Sequence, residues 1–193
     1  MVTIEEIKKL REMTAAGITD AKKALTESGG DMEKAKDWLR KRGLVKAGEK
    51  SSREVHEGYI GSYIHQNGKI GVLVEIDCET DFVARTNDFQ TFAHDVAMHI
   101  AAYNPLYVSS EDIEENVIEK MKSEFVEEVK TKPANIQEQI VKGKLEKYYT
   151  EVCLLNQPFL KDENITIAEL LGGMVGKLGE NIKIGRFSRI HIQ

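Results

Sequence analysis

Tyr59-Ile60-Gly61-Ser62-Tyr63-Ile64-His65-Gln66-Asn67-Gly68-Lys69-Ile70-Gly71-Val72-Leu73-Val74-Glu75-Ile76-Asp77 is the stretch on which the fold turns. Upstream of it apolar residues recur with helical spacing. Here the period changes to two, and Ile70, Val72, Val74, Ile76 and Cys78 fall on one face. The alternation predicts strands over Tyr59 to His65 and Lys69 to Asp77. They join at Gln66-Asn67-Gly68, where Asn67 and Gly68 are expected to supply the two positive φ angles of a type I′ hairpin. A two-stranded ribbon with an apolar face is marginal until that face is covered. The cover is Asn87 to Tyr103, where Phe89, Phe92, Ala93, Val96 and Ile100 make a helical stripe that Asn104-Pro105 terminates.

Working upstream, Thr3-Ile4-Glu5-Glu6 is a capping box, and Ile4, Ile7 and Leu10 then share a helical face. Gly17 breaks that helix, and a second carries Ile18, Ala21 and Leu25 before Gly29-Gly30 ends it. Asp31 caps a third, with Met32, Ala35, Trp38 and Leu39 inward, and Gly43 is expected to stop it. Residues 1–44 are therefore expected to be a three-helix bundle. It looks like a ubiquitin-associated domain, with Ala16-Gly17-Ile18 as the loop between its first two helices. Residues 45–54 are polar and aperiodic and read as a linker that lets the bundle move.

Working downstream, Ser109 or Ser110 caps a charged helix to about Lys130, and after Lys132-Pro133 another runs from about Asn135 to Val152. Together, over about 110–152, they read as an antiparallel helical hairpin. Thr166-Ile167-Ala168-Glu169 is a second capping box, opening a helix with Leu170, Leu171, Met174, Val175 and Leu178 inward. Gly172-Gly173 within it allows close backbone packing. After Gly179, Ile182 to Ile192 returns to period two as a third strand beside the first hairpin. The fold class expected is α+β: a bundle, a linker, then over 55–193 a three-stranded antiparallel sheet packed with helices and carrying the helical hairpin.

The chain has 193 residues, 41% of them hydrophobic, enough for one sizeable core or a small domain beside a medium one. No apolar run approaches the roughly 20 residues of a membrane span, and Met1-Val2-Thr3-Ile4-Glu5-Glu6 lacks the pattern of a signal peptide. A cytoplasmic location, with no membrane partner, is the expectation. A formal charge of −5 with acids and bases intermixed argues against direct nucleic-acid binding, which needs clustered Lys and Arg. The nearest thing to a basic stretch, Lys34 to Lys50, reads as a solvated helix end and linker.

Two cysteines, Cys78 and Cys153, stand in apolar surroundings without CxxC spacing and read as buried thiols. Five histidines offer no H-x-x-x-H pair, so no metal site is expected. With no P-loop and no G-x-S-x-G elbow, the chain is expected neither to bind nucleotide itself nor to be an enzyme, and to need no cofactor. The residual enzyme reading makes Cys78 a nucleophile, against a thiol that simply continues the apolar face of a strand.

The candidate functional segment is Cys78-Glu79-Thr80-Asp81-Phe82-Val83-Ala84-Arg85, where the second strand runs into a helix. An acid beside an aromatic on a surface turn sets an oxygen ligand next to an apolar wedge, a pairing suited to a partner's cleft. The plainer alternative makes Asp81 a helix N-cap and folds Phe82 back onto the core.

Glu79 to Phe89 resembles the central signature of the elongation factor Ts family, guanine-nucleotide exchange factors of the translational GTPase elongation factor Tu. Leu10-Arg11-Glu12-Met13-Thr14 with Gly17 to Leu25 resembles the family's amino-terminal signature. Gly179-Glu180-Asn181-Ile182-Lys183-Ile184 with Arg186-Phe187 resembles its carboxyl-terminal one, and Tyr148 to Phe159 a segment of its shorter members. The match runs in order along nearly the whole chain, with one departure, Ala15 where glycine is common.

The resemblance implies that Asp81 and Phe82, flanked by Thr80 and Val83, enter between helices of elongation factor Tu near its Mg²⁺ site and so promote GDP release. It implies that the bundle docks on the partner's GTPase domain through Arg11, Ile18 and Thr19, although Ile18 reads equally well as bundle core. Longer members contain two related core halves and this chain one, so a homodimer through the second domain is expected. The rival reading is an adaptor whose bundle binds a ubiquitin-like or peptide partner.

Overall fold

The computed structural model describes residues 2–14 and 16–192, the side chain of Asn135 excepted, so Ala15 lies outside the described residues. Three helices, α1 (Ile4–Thr14), α2 (Ile18–Glu27) and α3 (Met32–Lys50), form the amino-terminal bundle. Its core is small: Leu10, Ala21, Ala24, Leu25 and Ala35 are fully buried, with Ile7, Met32, Trp38 and Leu39 partly buried around them. The reciprocal Thr3–Glu6 box forms, the Glu6 carboxylate accepting the Thr3 N–H at 2.7 Å. The Asp31 carboxylate takes the Glu33 and Lys34 amides as expected. Lys46 reaches Asp20 at 2.7 Å and ties α3 to α2; that hydrogen bond holds the Asp20 carboxyl below its ordinary range.

Gly43 does not end α3. The helix continues to Lys50, so residues 45–50 of the expected linker are helical and only the short stretch from Ser51 to the first strand is irregular. Gly43 is instead a packing residue: a Cβ built on it would lie 3.0 Å from the Gly172 carbonyl carbon, and one on Gly172 would lie 3.0 Å from the Leu44 nitrogen. Gly172 belongs to α8 (Ile167–Leu178), and the two glycines let the helices cross backbone to backbone. A glycine inside a helix costs less than 1 kcal/mol or so in propensity, a penalty that packing on both sides overrides.

The body is built on a three-stranded antiparallel sheet of β1 (Glu57–Ile64), β2 (Ile70–Cys78) and β5 (Ile182–His191), with β2 in the middle. Register sets Tyr63 opposite Val72, Tyr59 opposite Ile76 and Val74 opposite Phe187 on the covered face. That face meets α5 (Asn87–Tyr103), whose Phe89, Phe92, Ala93, Val96, Ala97 and Ile100 are buried with Val72, Val74, Ile76 and Cys78. Ile167 and Val175 of α8 complete the core. Asn104 takes the left-handed conformation, φ 49°, that closes α5 ahead of Pro105.

The β1–β2 connection differs from a type I′ turn. Of the two central residues only Gly68 has positive φ, +68°; its N–H donates to the His65 carbonyl, and the Asn67 side chain accepts the Lys69 N–H at 2.9 Å. A five-residue connection with one left-handed glycine spares Asn67 the left-handed region, because its side chain satisfies the turn locally.

Between α5 and the last strand, a 3₁₀ turn (Ser110–Asp112) precedes the helical hairpin of α6 (Glu115–Val129) and α7 (Ala134–Val152), and a second (Leu154–Asn156) follows it. Ser109 therefore caps the 3₁₀ turn, with Asp112 reciprocating, and not the long helix, which starts after Glu114. A small ribbon, β3 (Pro158–Phe159) and β4 (Asp162–Thr166), has no counterpart in the sequence reading; strands of two and five residues carry too little alternation to register. The Thr166–Glu169 box then opens α8. No helix of the described residues is long and apolar enough to cross a membrane.

Candidate functional site

The central strand β2 ends at the buried Cys78, and the chain leaves the sheet through Glu79-Thr80 into a single helical turn, α4 (Asp81–Ala84). The N-cap is Thr80, whose hydroxyl accepts the Val83 N–H at 3.4 Å, so the plainer reading of Asp81 as the cap is corrected. Asp81 stands one position inside, where its negative charge suits the helix N-terminus, and its carboxylate pairs with Arg85 at 2.9 Å. Ala84, buried, anchors the turn to the core. Phe82 points the other way: it is 82% exposed, the most exposed large hydrophobic side chain among the described residues, and it does not fold back. Val83 is half-buried against the main core.

A second corner of the chain fixes this turn from about a hundred residues away. Gly179, φ +78°, ends α8 in the left-handed conformation and swings Glu180 and Asn181 beneath the turn. Glu180 accepts twice from one residue, the Thr80 hydroxyl at 2.6 Å and the Thr80 N–H at 3.1 Å. The buried Asn181 donates its N–H to Glu79 at 2.6 Å and its side-chain amide to the Arg53 carbonyl at 2.7 Å. That backbone bond, and then the nearby Arg53 guanidinium at 3.3 Å, hold the Glu79 carboxyl below its ordinary value. Lys50, the last residue of α3, bonds the Gly179 carbonyl.

Glu180 and Asn181 fall in the stretch that resembles a carboxyl-terminal signature, yet nothing local marks them as partners of Thr80 and Glu79. The usable signal is indirect: two polar, turn-proximal motifs, each adjoining a strand that must pair in the same sheet.

Arg11, Ile18 and Thr19 gather at the α1–α2 junction and all are exposed. Arg11 Nε donates to the Ala16 carbonyl at 3.2 Å, bracing the loop. Ile18, expected either in the bundle core or at a contact surface, is 61% exposed and no part of the core. This junction rests on the bundle's core and the Thr80–Val83 turn on the body's, so the structure builds two separate regions from the seven residues. A groove of about 810 Å³ lies between the bundle and α8 and is rimmed by charges of both signs, including Asp20, Arg40, Lys46 and Lys177.

Cys78 contradicts the nucleophile reading. Burial, and after it the charge of Glu180, pushes its thiol up to about 11, and its Sγ lies 3.2 Å from the Thr80 carbonyl oxygen. A thiol kept protonated is a poor nucleophile.

By fold and by local chemistry this is an α+β protein whose candidate site is a braced, protruding turn and not a cleft of titratable groups. The profile of the family described as "Elongation factor TS" matches residues 7–174. Elongation factor Ts of Thermotoga petrophila is 51% identical over 191 residues, covering 99% of this chain and 96% of the relative. That of Nitratidesulfovibrio vulgaris is 50% identical over 193 residues, covering 99% and 96%. That of Fervidobacterium nodosum is 50% identical over 193 residues, covering 99% and 98%. The chain belongs to the elongation factor Ts family, and with it to the translation elongation factors.

Proposed function

We propose that the chain is a guanine-nucleotide exchange factor that binds elongation factor Tu and promotes GDP release. The observation that carries this reading is Phe82, held out into solvent on a turn braced by the Thr80 N–H on Glu180 and by the Glu79 carboxylate on the Asn181 N–H. Ordinarily a solitary exposed phenylalanine says little, but one held on a rigid turn keeps its entropy cost low on docking.

Thermodynamic linkage supplies the rest. A factor that prefers the nucleotide-free partner weakens nucleotide binding by the same factor, so release proceeds through a ternary complex. Phe82 fills an apolar gap and displaces a partner helix, while Asp81, half-exposed at its side chain, brings negative charge toward the groups that seat Mg²⁺ and the phosphates. Its tie to Arg85 is exposed and worth little, so exchanging it for a partner contact is inexpensive. Arg11, Ile18 and Thr19 provide a second contact on the GTPase domain, so that the bundle (1–44) and the body (55–193) meet the partner as two regions.

The homodimer belongs to the same proposal. The uncovered face of the sheet bears Ile60, Ile64, Leu73 and Ile190, each more than half exposed, with Gly71, Ser62 and Ser188 between them. Exposed apolar residues gathered on one sheet face, with Glu75, Asp77 and Lys183 toward its other end, are what two copies would bury against one another.

The test is GDP release from elongation factor Tu at saturating factor. Phe82→Ala is expected to cut the maximal rate at least tenfold while leaving the melting temperature within about 2 °C, since an exposed side chain contributes little to folding. Wild-type release by Phe82→Ala would remove the wedge from the mechanism. An adaptor working through its bundle is indifferent to Phe82 and loses its partner with Ile18→Ala.

A further inference from the structure

The Gly179-Glu180-Asn181 corner makes twofold contact with the turn proposed as the exchange element, and the chemistry of Thr80 shows what that contact does. A hydroxyl can donate one hydrogen and accept on its lone pairs. In an isolated N-cap the Thr80 hydrogen is free to point anywhere, and the oxygen is equally free to turn away from the helix. Here the hydroxyl hydrogen goes to Glu180 Oε1 at 2.6 Å, which leaves the lone pairs to receive the Val83 N–H. The other carboxylate oxygen, Oε2, accepts the Thr80 N–H at 3.1 Å, fixing the backbone one residue before Asp81. Both bonds have a charged acceptor and are the stronger kind.

Resting on the exchange reading, we propose that Glu180 is a positioning residue: it touches no partner, but orients the Thr80 cap and thereby the direction in which α4 presents Asp81 and Phe82. A four-residue helix has too few internal hydrogen bonds to hold its own axis. The axis is set by its two ends, Ala84 in the core and Thr80 on Glu180. The corner also carries Lys50 on the Gly179 carbonyl and the Arg53 carbonyl on Asn181, so the end of α3 and the segment after it are fastened to the same corner.

The experiment measures GDP release from elongation factor Tu loaded with a fluorescent GDP, over a range of factor concentrations, for wild type, Glu180→Ala and Glu180→Gln. Glu180→Ala removes both charge-assisted hydrogen bonds and is expected to lower the maximal release rate at least about tenfold, with the half-saturating concentration changed less than about threefold. Glu180→Gln keeps an oxygen for the Thr80 hydroxyl and loses the acceptor for its N–H, so it recovers part of the rate. Amide exchange at Val83 speeds up in step with the loss of rate.

A full maximal rate for Glu180→Ala overturns the positioning role while leaving the exchange reading intact. So does a variant that raises the half-saturating concentration and leaves the maximum alone. Failure of the wild-type protein itself to release GDP is the separate result that sinks the exchange reading. Should Glu180→Ala fail to fold, Thr80→Val and Thr80→Ser decide the matter, since serine keeps the donor to Glu180 and valine removes it; equal maximal rates for the two overturn the proposal.

Discussion

Replacing Gly172 by alanine tests the contact that seats the bundle on the body. Two neighbouring glycines of α8 make a controlled pair, because they share a helix and differ in what a methyl group would meet. At Gly173 nothing lies within 4 Å of the added Cβ, so the substitution simply exchanges glycine for a good helix former, a gain of up to about 1 kcal/mol. At Gly172 the same gain is set against contacts of 3.0 Å to the Leu44 nitrogen and 3.1 Å to the Gly43 carbonyl carbon. Both are backbone atoms of a long helix and cannot rotate away, so α3 must shift by a few tenths of an ångström, at an overpacking cost of about 1–3 kcal/mol. The expected result is a stabilised Gly173→Ala and a Gly172→Ala that is neutral or up to about 2 kcal/mol less stable than wild type. For a chain of this length each kcal/mol moves the melting temperature about 2–4 °C. Urea titration with a common slope, checked by thermal melting, reads the difference. If both variants gain equally, α3 and α8 do not cross backbone to backbone and the account of Gly43 as a packing residue is wrong.

Three further predictions concern separate parts of the molecule. Cys78, its thiol pushed up to about 11 by burial, holds roughly one thiolate in ten thousand at pH 7; alkylation is expected to be at least a hundredfold slower in the native protein than in urea, and equal rates would contradict the burial. His99 is buried and neutral, its Nδ1 accepting the Leu160 N–H at 3.2 Å and its Nε2 facing the Gln157 carbonyl oxygen at 3.0 Å, and burial lowers its pKa from the ordinary 6.5. Below about pH 6.5 the unfolded chain takes up a proton that the folded one refuses, so stability falls on acidification toward the folded pKa by at most about 1.4 kcal/mol per pH unit. His99→Gln should flatten urea midpoints between pH 7 and 5, and an unchanged slope would show that His99 is not the group responsible. Last, Ile190→Lys on the uncovered sheet face is expected to turn the proposed dimer into a monomer by light scattering at micromolar concentration; a wild type already monomeric there would dispose of the dimer.

Much of the fold was legible because it is encoded by local pattern. The Thr3–Glu6 and Thr166–Glu169 boxes, the Asp31 cap and the stripe from Phe89 to Ile100 each involve residues within a few turns of one another, and all appear as read. Where the reading failed, a distant neighbour had overruled a local rule. Gly43 carries an ordinary stop signal, but its missing side chain is used by Gly172 across the molecule. For Ile18 spacing alone allows either the bundle core or a surface, and the fold leaves it exposed at the first turn of α2.

The candidate site divides in the same way. That Thr80, Asp81, Phe82 and Val83 form the segment of interest, and which family the chain joins, could be taken from the order of residues alone. Whether Phe82 faces the core or the solvent could not, since an aromatic beside a helix start satisfies either pattern. Folding decided it by filling the space under α4 with Ala84 and Val83, and by bringing Glu180 and Asn181 to hold the turn from below. Hydrogen bonds across a hundred residues exist only once β2 and β5 lie side by side. They are therefore a property of the sheet, which no spacing along the chain expresses.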